Sequence, residues 1–235
     1  MQKTAIITGA SRGIGRAIAL ELAQQGIYVI LIARNSQELT ELQTQVEQKG
    51  GKADFYALDI AQANEVKSTV EQILDKHSQI DYLINNAGVG SFQEFETFEE
   101  AELDRIMNVN IKGTFLLTKE LVLHMKSRKQ GHIVTIASDV SKRTFPNGSV
   151  YCASKYAQDA LMSALRKEVR SFGIKVSTIY PGLVDTHFNG NQPGEPDNKN
   201  WLKPEDIAQS VSYVLSAPAH VVVDELMIHP LEQDY

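Results

Sequence analysis

The chain is poor in the features that would take a protein into a membrane, onto a nucleic acid or into an oxidising compartment. It has one cysteine, Cys152, so no intrachain disulfide can form and the fold does not depend on oxidation. No apolar run approaches the length that spans a bilayer. Met1-Gln2-Lys3 leads straight into apolar residues needed for a strand, so no signal segment is expected. The net charge is −6 with both signs scattered, which leaves no basic stripe for nucleic acid. Six histidines lie without ligand spacing, and no metal site is expected. Repeats and low-complexity segments are absent. These absences leave a soluble, cytoplasmic protein with a small-molecule partner as the expectation.

What is present is ordinary globular composition, 43% hydrophobic and 22% charged. A chain of 235 residues is too short for two well-cored domains and usual for a single α/β sheet, so one domain over 1–235 is expected. Short apolar runs alternate with longer amphipathic stretches. Strands are predicted at Thr4–Ile7, Tyr28–Ile32, Ala53–Leu58, Ile80–Ile84, His132–Ile136, Lys175–Ile179 and, more briefly, Glu225–Ile228. Helices are predicted from the Ile14, Ile18, Leu22 stripe to Gly26, at Ser36–Lys49, Ala63–His77, Glu99–Lys129 (bent near Asn110–Gly113), Tyr151–Phe172 and Pro204–Leu215. This alternation predicts a doubly wound parallel sheet of Rossmann type, in three α/β/α layers. The one long irregular stretch, Asn189–Asn200, reads as a lid spanning about 186–203 or as a disordered surface insertion.

The first strand runs into Thr8-Gly9-Ala10-Ser11-Arg12-Gly13-Ile14-Gly15, and a helix follows at once. Glycines there permit a tight turn and close approach of backbone to a pyrophosphate, and the helix N-terminus supplies free N–H groups. A glycine-rich turn without a ligand would read the same way, although strand and helix flank the loop as a dinucleotide site requires. An acid at the end of the second strand would bind the ribose 2′-hydroxyl of NAD. Here the sequence has Ala33-Arg34-Asn35. Arg12 and Arg34 suit a 2′-phosphate, which guanidiniums grip through charge-assisted bonds, so NADP(H) is predicted. Arg34 as a solvated surface residue is the alternative.

Tyr151 and Lys155 are spaced to share one helix face. A tyrosine of pKa about 10 is a poor base, and a nearby ammonium is expected to lower that value. Such a tyrosine can pass a proton to a carbonyl oxygen that receives hydride, or take one back. Ser138 follows the fifth strand, where ligands of parallel sheets sit, and can hydrogen-bond the same oxygen.

In Thr8-Gly9-x-x-x-Gly13-x-Gly15, Asn85-Asn86-Ala87-Gly88, Asn110, Ser138, Tyr151-x-x-x-Lys155 and Pro181-Gly182, the sequence resembles the short-chain dehydrogenase/reductase family from Thr8 to about Leu215. The resemblance implies an oxidoreductase acting on carbonyls and alcohols, with Tyr151 as general acid/base, Ser138 orienting the carbonyl, and Lys155 on the nicotinamide ribose. It implies that Asn110 holds a water in a proton relay to Lys155. Asp59 and Ile60 would contact adenine, Asn86, Ala87 and Gly88 the adenine ribose side, and Pro181, Gly182, Val184 and Thr186 the nicotinamide. A homodimer or homotetramer paired through the helices of Glu99–Lys129 and Tyr151–Phe172 is also implied. The ending Asp224-Glu225-Leu226-Met227-Ile228-His229-Pro230 lacks the Gly-Gly turn of 3-oxoacyl carrier-protein reductases. It is more similar to the branch of 3-hydroxy acid dehydrogenases and sepiapterin-type reductases. A 3-oxoacyl thioester reductase and a non-catalytic NADP-binding regulator are the competing readings, the latter disfavoured because tyrosine, lysine and serine are all present. Phe92, Phe95, Phe145, Phe188 and Trp201 form either an apolar substrate wall or ordinary packing under loops. Cys152 reads as a small packed residue rather than a redox thiol.

Overall fold

The computed structural model describes residues 2–234. Seven strands, β1 (Thr4–Thr8), β2 (Tyr28–Ala33), β3 (Ala53–Ala57), β4 (Tyr82–Asn85), β5 (Gly131–Ile136), β6 (Ile174–Pro181) and β7 (Glu225–Ile228), form one sheet in the order β3-β2-β1-β4-β5-β6-β7. Every pairing is parallel. Helices α1 (Gly13–Gln24), α2 (Ser36–Gln48), α3 (Ala63–Lys76), α4 (Glu100–Met107), α5 (Thr114–Arg128), α6 (Ser149–Val169) and α7 (Pro204–Ser216) cover its two faces.

The alternation of side chains along each strand builds two cores at once. Ala5 and Ile7 of β1, with Val29 and Leu31 of β2, meet Ile18 and Leu22 of α1 and Val211 of α7. Ile6 and Ile30, pointing the other way, meet Val70 of α3, Leu121 of α5 and Met162 of α6. Ile6, Ile7, Ile30 and Leu31 are fully buried. Each such side chain contributes about 1.5–3 kcal/mol relative to an exposed one, which is why these short runs hold as central strands.

Several boundaries differ from the sequence expectation. Strand β6 extends to Pro181, because its last carbonyls and amides find β7, with Gly182 N donating to Ile228 O. The long helix expected at Glu99–Lys129 is in three parts, with a π-helical turn over Asn108–Gly113 between α4 and α5. A wide turn of this kind lets backbone groups leave the helical ladder for other partners. Helix α6 begins at Ser149, which puts Tyr151 in its first turn. A 3-10 turn at Asp139–Ser141 follows Ser138 and was not anticipated.

The order of strand addition reverses between β1 and β4, so the crevice at their C-terminal ends is the place where such sheets receive ligands.

Candidate active site

The loop from β1 to α1 carries Gly9 and Gly13 at φ of +63° and +54°, in the left-handed region where a Cβ is strained. A Cβ on Gly15 would collide with the Gly9 carbonyl oxygen, so only glycine lets α1 start this close to the strand. Arg12 precedes α1 without a side-chain cap, which leaves the first N–H groups of the helix facing the crevice. The loop is stapled to β4: Thr8 Oγ1 accepts from the amides of Asn86 and Ala87, each at 3.0 Å, and Asn86 Nδ2 donates to Thr8 O at 2.9 Å.

Beside it lies a cavity of about 390 Å³ lined by Gly9, Ser11, Arg12, Gly13, Ile14, Arg34, Asp59, Ile60, Asn86, Ala87, Gly88 and Thr186. The glycine loop, two arginines and an open helix end fit the phosphates of a dinucleotide. Glu38, which the sequence reading did not single out, lines the same cavity from the first turn of α2, where Asn35 caps the helix. Gly15 lies behind the loop as a packing residue and does not reach the cavity.

A second cavity, of about 480 Å³, shares Ile14, Asn86, Gly88, Thr186 and Phe188 with the first. Ser138, Tyr151, Lys155, Pro181, Gly182 and Val184 line it, with Phe92, Phe145, Phe188 and Trp201 as apolar wall. Phe95 is instead 77% exposed and stands apart from this wall. The rings of Phe92 and Phe188 lie 5.6 and 5.4 Å from that of Tyr151, a spacing typical of tilted aromatic pairs. Cys152 is buried in the same cluster, with Val140 and Phe145 packed around it.

Tyr151 and Ser138 line the same cavity. Burial pushes the Tyr151 phenol well above the ordinary tyrosine range, the nearby Ser138 hydroxyl pulls it back in part, and the charge of Asp139 raises it further. The expected lowering by Lys155 is not found: burial sets the shift, the ammonium lies 5.9 Å from the Tyr151 ring centroid, and it is itself pushed down to about 8 by burial. Tyr151 is therefore a protonated phenol at neutral pH.

Lys155 is fixed from behind. Its Nζ donates to Ile136 O at 3.2 Å and to Gln158 Oε1 at 3.1 Å. Gln158 Nε2 in turn donates to Asn110 O and to Thr114 Oγ1, each at 3.0 Å. Asn110 is wholly buried and reaches neither cavity; its side chain ties Val89 to α6 through Val89 N, Val89 O and Ser154 Oγ. Sequence reasoning passed over Gln158, although helical periodicity places it on the face of Tyr151 and Lys155. It also passed over Asp139, the neighbour of Ser138.

The segment expected as a lid folds back as a compact loop. Asp185 N donates to Leu202 O, and the Asp185 carboxylate accepts from Gly194 N, Asn198 Nδ2 and Lys203 Nζ. Phe188 and Trp201 reach the second cavity from this loop.

The chain matches the short chain dehydrogenase family over residues 3–196. It is 33% identical to a sepiapterin reductase of Chlorobaculum tepidum, an alignment covering 100% of this chain and 98% of that protein. An alcohol dehydrogenase of the archaeon Thermococcus sibiricus, solved with 5-hydroxy-NADP, superposes at a TM-score of 0.95 with 34% identity, covering 100% of this chain and 99% of that one. A serine dehydrogenase solved with NADP+ superposes at 0.91 with 28% identity, covering 99% and 96%. Fold, glycine loop and family match agree, and the chain belongs to the short-chain dehydrogenase/reductase family of oxidoreductases.

Proposed function

We propose that the protein reduces a ketone or aldehyde to an alcohol with NADPH. The observation that carries the reading is that Tyr151, Ser138 and Lys155 line one cavity that adjoins the glycine-loop cavity, with Lys155 buried and held by Ile136 O and Gln158 Oε1. NADPH, when bound, supplies the hydride. Arg12 and Arg34 would hold its 2′-phosphate, the amides of the glycine loop its pyrophosphate, and Asp59 and Ile60 its adenine. Pro181, Gly182, Val184 and Thr186 would border the nicotinamide. The neighbours solved with NADP or 5-hydroxy-NADP support this choice of cofactor.

With a carbonyl bound, Ser138 Oγ turns its proton from the Asp139 carboxylate to the substrate oxygen and stabilises the charge that builds there. Tyr151, protonated at neutral pH, gives its proton to the same oxygen. Lys155 offers its ammonium to the nicotinamide ribose. Phe92, Phe145, Phe188 and Trp201 keep water from the reacting carbonyl, and residues 186–203 act as lid. Leu103, Phe115, Leu123 and Tyr156, exposed on α4, α5 and α6, support self-association through those helices.

The test is oxidation of NADPH and NADH against aldehydes, ketones, diketones and 3-oxoacyl thioesters, with Tyr151→Phe as control. Turnover with NADPH that is lost in the variant is the expected result. Tight NADPH binding without turnover on any carbonyl would favour a regulator instead.

A further inference from the structure

Lys155, Gln158 and Asn110 form a continuous bridge from the active-site lysine to the π-helical turn. Gln158 is wholly buried, with its oxygen on the ammonium and its nitrogen shared between Asn110 O and Thr114 Oγ1. Thr114 Oγ1 also donates to Asn110 O at 2.9 Å. The Asn110 carbonyl thus accepts from two side chains, and a glutamine amide lies where the family resemblance implies a water.

A carboxamide differs from water in what it can do there. It accepts at Oε1 and donates at Nε2 in a fixed order, and it does not pass a proton along at neutral pH. Its bond to Lys155 favours the charged lysine, whereas burial favours the neutral one. The π-helical turn anchors the amide nitrogen, so the oxygen cannot swing away from Lys155.

We propose that Gln158 is a positioning residue: its side chain takes the place of a relay water between Asn110 and Lys155, holding the ammonium charged and in place. The proposal rests on the reading of Lys155 as part of the reductase site. Tyr151 faces Lys155 from one turn back on α6, Asp139 faces Tyr151 from the end of β5, and the remaining neighbours of the ammonium, Ile136 O, Gly88 and Asn110, carry no charge. Burial is what pulls Lys155 down, and the Gln158 oxygen accepts from the charged form.

The experiment follows the ionisation of Lys155 by lysine-labelled NMR in the full chain and in Gln158→Leu, Gln158→Glu and Gln158→Ala, alongside the pH profile of kcat for NADPH-dependent carbonyl reduction. Gln158→Leu removes the acceptor and fills the space, so the Lys155 midpoint falls by about one pH unit and kcat drops about tenfold, with KM for the carbonyl little changed. Gln158→Glu moves the midpoint up. Gln158→Ala opens room for water and recovers part of the loss. Should Gln158→Leu not fold, the opposite displacement in Gln158→Glu and the smaller fall in Gln158→Ala carry the test. A Lys155 midpoint unchanged across the variants overturns the proposal, as does a kcat profile that stays fixed while the midpoint moves. If the midpoint moves as stated but the wild type reduces no carbonyl, the positioning role stands and the reductase reading fails.

Discussion

Ser138 donates its hydroxyl to the Asp139 carboxylate beside it, with Oγ 3.0 Å from Oδ1, while Asp139 Oδ2 accepts from Arg143 and from Gln233 Nε2. The serine that would orient a carbonyl is thus held by a carboxylate that also raises the pKa of Tyr151. Asp139 itself is gripped by the 139–143 segment and by the tail of the chain.

Asp139→Asn removes a negative charge from the neighbourhood of the Tyr151 phenolate, which favours the deprotonated form. Alcohol oxidation needs that form, so the pH at which oxidation rises should move down, by up to about one unit. Arg143 meanwhile loses a charged acceptor, at a cost of about 2 kcal/mol in unfolding free energy by urea titration. An oxidation profile unchanged by the substitution would show that Asp139 does not reach the tyrosine electrostatically.

Arg34→Asp tests the cofactor reading. Arg12 and Arg34 border one cavity, and Glu38 already brings an acid to it. Loss of the guanidinium and gain of a carboxylate should weaken NADPH relative to NADH about 100-fold, equivalent to about 2.7 kcal/mol. The ratio of dissociation constants from nicotinamide fluorescence measures this without requiring turnover. A ratio that stays put would make Arg34 a solvated surface residue.

The elements that local pattern dictates were legible in the chain. Ala5, Ile6 and Ile7 alternate between two cores, and the helical stripe of Ile18 and Leu22 meets one of them. The break in the long helix was legible as well, from Asn110 and Gly113. Its π form was not, because it depends on Val89, Ser154 and Gln158, which other elements bring to Asn110. The direction of the Tyr151 shift was hidden for a related reason. Spacing puts Lys155 one turn away, but the burial that dominates comes from Phe92 and Phe188 on distant loops. The 186–203 segment looked structureless because its order comes from one carboxylate, Asp185, and no periodicity announces a single buried acid.

Asp185→Ala should loosen that loop. Its carboxylate is held below the usual range, chiefly by the Lys203 hydrogen bond, with Gly194 and Asn198 adding to it. A depressed carboxylate contributes stability that is present above its unfolded pKa and lost as pH falls through the folded value. The alanine variant at neutral pH, and the wild type once pH has fallen below the depressed folded value, itself below about 4, should therefore open alike. Cleavage within 189–200 by limited proteolysis should speed up about tenfold in the variant while the global melting temperature barely moves. Equal cleavage rates would mean that the loop is held by Phe188 and Trp201 instead.

His132 offers a stability switch away from the site. It is buried on β5, bonded to Ser177 Oγ at 2.8 Å, and pushed down to about 3 by burial, with Lys175 and Lys3 adding to the shift. The unfolded chain binds a proton at this residue near pH 6.5 and the folded chain only near 3, so between those values the unfolded state carries more protons. Stability from this group is complete above about pH 6.5 and drains away as pH falls towards 3. His132→Gln keeps a partner for Ser177 and removes the titration. Urea unfolding at a series of pH values should then give a shallower loss of stability below pH about 6.5 than in the wild type. Parallel slopes would mean that His132 is protonated in the folded protein, which the apolar strand neighbours Ile133 and Val134 and the charges of Lys175 and Lys3 argue against.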